Sequence, residues 1–133
     1  MVVIIMIDVI DNNQKEISLV EKEDLEMKEY SFTDLDNYFS QIDLNYVRKA
    51  GNICLIEFRA LTAKRIPNNT NFINCNQIKL NKSQSTLFSY VDSTQYGRTN
   101  NIFCFIDVNG NIKGAAIAEN SWVNILGVVF TTV

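Results

Sequence analysis

The chain has 133 residues, a formal net charge of −3, 47% hydrophobic residues and no histidine. Its length suits one ordinary domain, able to bury roughly two-thirds of its unfolded surface. The missing histidine removes the commonest general base and the commonest metal ligand. No glycine-rich phosphate loop or paired-acid motif is present either, so the sequence reads as a non-enzyme that needs no cofactor and no metal.

The chain opens with Met1-Val2-Val3-Ile4-Ile5-Met6-Ile7. This run lacks a basic flank and a small-residue cleavage site, and Asp8 stops it far short of a membrane span. It reads as a strand, and no membrane insertion is expected. Asp11-Asn12-Asn13 supplies a turn, after which Glu16-Ile17-Ser18-Leu19-Val20 returns as a second strand. Ser31 or Thr33 can cap a helix, because a hydroxyl accepts bonds from the free amides of a first turn, and Asp34 and Asp36 suit its positive end. Leu35, Tyr38, Phe39 and Ile42 then fall on one helical face. The spacing predicts one short helix of about ten residues here.

Charge is partitioned along the chain. Residues 1–45 hold eleven acidic and three basic residues, net −8, whereas residues 46–133 hold nine basic and four acidic, net +5. Such asymmetry marks either an interaction segment beside a separate domain or a solvated acidic face. The expected organisation is an acidic attachment segment, 1–45, followed by a β-domain, 46–133.

From Tyr46 onward the pattern is β. Tyr46-Val47-Arg48-Lys49 and the run from Asn52 to Leu61 flank Ala50-Gly51, a hairpin turn. Phe58 and Leu61 continue an apolar face, while Glu57 and Arg59 face away. The only proline, Pro67, and Asn68-Asn69-Thr70 lead to a strand over residues 71–75, with a further one at 77–80 and an alternating one at 86–91. Ile102-Phe103-Cys104-Phe105-Ile106 and Ile112-Lys113-Gly114-Ala115-Ala116-Ile117 flank Asn109-Gly110, a pair that tolerates positive φ in a tight hairpin turn. Trp122-Val123-Asn124-Ile125-Leu126-Gly127-Val128-Val129-Phe130 forms the last strand. About seven short strands at this spacing predict an antiparallel β-sandwich, jelly-roll-like, so the fold class is mainly β with a short N-terminal α/β segment. The runs at 102–106 and 128–133 are longer than one small core with a wet face requires, and either a plain two-layer core or an interface between copies accounts for them. Cys54, Cys75 and Cys104 show no paired spacing; they read as free thiols, with Cys54 and Cys104 buried. Arg48/Lys49 and Lys64/Arg65 are the only basic pairs and lack aromatic interleaving, so no nucleic-acid binding is expected.

Tyr46-Val47-Arg48-Lys49-Ala50-Gly51-Asn52-Ile53 resembles the "rK-x-G-N-x-V" opening strand pair in C-terminal domains of phage tail fibre and baseplate receptor-binding proteins. Thr70-Asn71-Phe72-Ile73, Asp107-Val108-Asn109-Gly110-Asn111-Ile112 and Trp122-Val123-Asn124-Ile125 follow in that family's order. The proline-containing "L-P-x-x-x-x-P" of the family is missing after Ile73. The likeness covers residues 45–133. It implies a virion protein of the tail or baseplate, assembled in the host cytoplasm as a homotrimer. Its partners would be other tail or baseplate proteins, docked through residues 1–45, and host cell-surface saccharide. The alternative is a purely structural role, docking another virion component without receptor binding. For saccharide, rings stack on sugar faces while carboxylates, amides and guanidinium groups bond hydroxyls. The segment 90–101 combines these types, and Tyr90, Asp92, Gln95, Tyr96 and Arg98 are its ligand-binding candidates. A merely hydrophilic connection would share that composition. Trp122, beside Val123 and Ile125, reads as a core or interface residue rather than a ligand platform.

Overall fold

A computed structural model describes residues 8–10, 16–18, 26–92 and 98–132. They form two antiparallel sheets. The small one pairs β1 (Asp8–Ile10) with β2 (Glu16–Ser18). The large one has nine strands: β3 (Lys28–Tyr30), β4 (Thr33–Asp34), β5 (Phe39–Ala50), β6 (Ile53–Thr62), β7 (Ile73–Asn74), β8 (Gln84–Asp92), β9 (Arg98–Ile106), β10 (Asn111–Lys113) and β11 (Ser121–Phe130). Their order is β3-β5-β6-β11-β8-β9-β10-β7-β4. The two strands that end this order, β3 and β4, are neighbours in sequence, separated by Ser31 and Phe32. A sheet whose opposite margins are joined by two residues must curl back on itself, and the result is a sandwich-like β-fold.

Strand periodicity decides what the curl encloses, because successive side chains point to opposite faces. On β6, Cys54, Ile56, Phe58, Ala60 and Thr62 are buried; on β11, Ser121, Val123, Ile125 and Val129 are buried; Val47 of β5 joins them. Residues 63–80, which include β7, contribute Ile66, Phe72, Ile73, Cys75, Ile78 and Leu80 to the core. Ile66 and Ile117 pair as an isolated bridge. Phe58 sits at the centre, edge-on to Phe32 at 5.9 Å and to Phe39 at 5.2 Å between centroids, and Phe39 meets Phe72 at 6.1 Å. Each fully buried side chain of this size contributes about 1.5–3 kcal/mol relative to exposure.

Cys54, Cys75 and Cys104 are all buried free thiols. Burial pushes the Cys54 thiol up to about 11 and that of Cys104 to about 12. The β9–β10 hairpin forms as the Asn-Gly signal predicts, with a different turn. Only Gly110 takes positive φ, at 79°, and the Asp107 carboxylate organises the loop by accepting the N–H groups of Asn109 and Asn111, each at 2.9 Å. Burial raises the Asp107 carboxyl, but hydrogen bonds from Asn111 and Asn109 outweigh it and leave the group below its usual value.

The expected helix is absent. Residues 33–42 form β4, a turn and the start of β5, and no helix occurs among the described residues. Asp34 does accept backbone bonds in the manner of a cap, from Tyr38 N–H at 2.9 Å and Phe39 N–H at 3.0 Å. Asn37, at φ 51°, turns the chain the other way and a strand follows instead. Of the supposed helical face, Tyr38 is buried and Phe39 partly so, while Leu35 and Ile42 are exposed. The charge boundary at Asn45 falls inside β5, so the sheet runs through it and also takes in residues 28–34. Residues 77–80 add no strand, and Leu61 lies on the opposite side of β6 from Phe58.

Candidate functional site

The outer face of β5, β6 and β11 follows from their registers. Residues directly opposite in neighbouring strands share a face, so this face is a grid of rows across the three strands. The rows are Ala50–Ile53–Phe130, Arg48–Leu55–Val128, Tyr46–Glu57–Leu126 and Leu44–Arg59–Asn124, followed by Leu61–Trp122. One end of the grid is apolar and open to solvent. Leu126 is 65% exposed, Phe130 62% and Val128 51%, and Ile53 and Leu55 are also exposed. Isolated exposed apolar residues are ordinary, whereas these five lie contiguous on one sheet face. Phe130 is held in place because the Gln84 amide bonds its backbone on both sides, donating to the carbonyl at 2.7 Å and accepting the N–H at 3.0 Å.

Two shallow grooves score this face. The first, about 310 Å³, runs between Tyr46, Arg48, Leu55, Glu57, Leu126 and Val128, with Gly127 in its wall. The second, about 270 Å³, lies between Leu44, Glu57, Arg59, Asn124 and Leu126. Glu57 and Leu126 border both. Each groove has a cation stacked on a ring nearby: the Arg48 guanidinium lies 4.9 Å from the Tyr46 ring centre, and that of Arg59 lies 5.0 Å from Trp122. Arg48 also reaches Glu29 at 3.8 Å, an exposed pair that adds at most about 1 kcal/mol. Glu57 and Arg59 belong to no ion pair among the described residues. The surface is shallow and mixes apolar and charged side chains. No three His, Cys, Asp or Glu side chains converge as a metal set among the described residues.

The structure places the sequence-derived candidates elsewhere. Tyr90 and Asp92 lie in β8 and Arg98 in β9, so the strands extend into what the sequence presents as a loop. Asp92 and Arg98 are cross-strand partners, as are Tyr90 and Asn100. Gln95 and Tyr96 lie outside the described residues. Asp92 also pairs with Ser121 at the start of β11, next to Trp122, which puts the strand ends of the candidate segment beside the polar end of the grid. Trp122 is half-buried on the outer face under Arg59, not in the core. Of the apolar end of the grid, the sequence reading singles out the surplus run at 128–133 and passes over Ile53 and Leu55. The signal of this end is the unbroken apolar stretch: Ile53-Cys54-Leu55-Ile56 and Val128-Val129-Phe130 carry apolar residues at both parities, and in a strand that makes both faces apolar.

No protein-family model matches this chain, and no curated protein matches it in sequence.

Proposed function

We propose that this chain is a tail-fibre or baseplate component of a virion that assembles with copies of itself through the outer face of β5, β6 and β11 and contacts host-surface saccharide. The observation that carries the reading is the exposed apolar grid of Ile53, Leu55, Leu126, Val128 and Phe130 on an otherwise well-packed sandwich-like fold. A lone subunit gains nothing from leaving these side chains in water, whereas a partner that covers them gains roughly 25 cal/mol per Å² of apolar surface removed. The order of the resembling motifs along residues 45–133 supports the virion assignment, and that resemblance implies three copies. Saccharide contact is assigned to the segment bearing Tyr90, Asp92, Gln95, Tyr96 and Arg98. Weak single-site binding there would be reinforced by avidity in an assembly.

Two measurements test the reading. Light scattering of the 15.2 kDa chain at micromolar concentration should give an oligomer, and Leu126→Asp should shift it to monomer. A glycan array should give hits that the Tyr96→Ala/Arg98→Ala double variant loses. A monomeric wild type removes the assembly role. An oligomer with no glycan hits leaves the purely structural docking role, the second reading, which the apolar face supports equally well.

A further inference from the structure

The charged rows of the outer face carry information about how a partner copy must lie on it. Glu57 and Arg59 are successive outward residues of β6, opposite in charge, and neither has an ion-pair partner among the described residues. Around them the grid is asymmetric along the strands, with Leu55 and Val128 on one side and Leu61 and Trp122 on the other. We propose that this face packs on the same face of a second copy with the strands antiparallel, about a two-fold axis that crosses β6 at the level of Phe58.

That axis sets each Glu57 across from Arg59 of the other copy. The same operation sets Leu55 across from Leu61 and Val128 across from Trp122, while Ile53 and Phe130, one row further out, reach past the last row of the other copy. Leu126 comes to lie across from Asn124. Sheets pack face to face about 10 Å apart, a distance these side chains span from both sides. An isologous contact requires this self-complementarity, in which residue i meets j and j meets i. A three-fold axis parallel to the strands does the opposite. Equivalent rows then meet, three Glu57 carboxylates converge in one layer and three Arg59 guanidinium groups in the next, and like charges brought together in an interface cost several kcal/mol. The inference rests on the reading that this face is an assembly surface; it adds the orientation and sets two copies in place of the three that the resemblance implies.

A charge-swap cycle on the full chain tests it. By analytical ultracentrifugation at micromolar concentration, the wild type should sediment with twice the 15.2 kDa chain mass. Glu57→Arg and Arg59→Glu should each raise the dimer dissociation constant about ten-fold or more, and the double variant should recover the dimer, because both cross-copy pairs are restored with reversed polarity. Recovery in the double variant also shows that the single variants were folded-state effects of charge. A trimer overturns the two-fold arrangement and leaves the assembly reading intact. A monomer overturns both. A dimer indifferent to either swap, or a double variant as weak as the singles, places the contact elsewhere and overturns the arrangement.

Discussion

The side-chain amide of Asn45 grips the backbone of Phe32 on both sides, accepting its N–H at 2.7 Å and donating to its carbonyl at 2.9 Å. Phe32 is the second residue of the link between β3 and β4, the strands that terminate the sheet order, and its ring is buried against Phe58. Asn45 thus does for this link what a ladder does for a strand, and anchors the closure of the curl to the middle of β5.

Asn45→Ala should therefore destabilise the protein by about 2 kcal/mol, since it removes two bonds to a part-buried backbone at about 1 kcal/mol each. Asn45→Asp keeps the acceptor, loses the donor and sets a carboxylate against the Phe32 carbonyl, so it should not rescue. Urea unfolding of the two variants checks both statements. A midpoint unchanged in Asn45→Ala would mean that the aromatic packing of Phe32 closes the sheet without the amide.

Gly110 offers the sharpest backbone test. Its φ of 79° is one that residues with a Cβ rarely adopt, and an added Cβ would overlap the Cys75 carbonyl oxygen. Neither can yield easily, because Cys75 N–H bonds the Gly110 carbonyl at 3.0 Å and Gly110 N–H bonds the Asp107 carbonyl at 3.1 Å. Gly110→Ala should cost roughly 3 kcal/mol or more, combining a strained φ with overpacking. Asn69→Gly, at φ 58°, should be close to neutral by comparison. Thermal melts of the pair separate a turn that demands glycine from one that asparagine serves well.

The buried thiols predict an alkaline weakness. With the native thiols of Cys54 at about 11 and Cys104 at about 12, against an unperturbed 9.0, the unfolded chain gives up these protons first as pH rises. Their contribution is full below about pH 9 and is lost as pH rises through about 11 and then about 12. Unfolding free energy should be level from pH 7 to about 9 with respect to these groups and fall above it. Cys54→Ala and Cys104→Ala should flatten that fall while lowering the plateau through the cavities they leave. A slope unchanged in the double variant would assign it to other groups. The native thiols should also resist alkylation at neutral pH and react on unfolding.

Much of the architecture is determined by local chemistry that one sequence displays. Alternation at Ile53–Thr62 sends Cys54, Ile56, Phe58 and Ala60 inward and Glu57 and Arg59 outward. The Asn-Gly pair marks the β9–β10 hairpin, and the last apolar stretch gives β11. These features are legible because the strand period of two and the turn preferences of glycine and asparagine act within a few residues. The supposed helix shows the limit of that logic. Leu35, Tyr38, Phe39 and Ile42 have helical spacing and Asp34 has capping chemistry, yet pairing of residues 39–50 with β6 wins, because the sheet offers Phe39 a place against Phe58 and Phe72 that a solvent-facing helix would lack. Local signals show that both faces of these strands are apolar, but not which residues become neighbours on the outer face. Leu55, Glu57, Leu126 and Val128 become neighbours only when β6 and β11, about 70 residues apart in sequence, adopt one register rather than the next. A slip of β11 by one residue would turn Leu126 and Val128 inward and leave Leu55 and Glu57 outward, so pairing across the sheet decides which apolar side chains form the core and which are left for a partner.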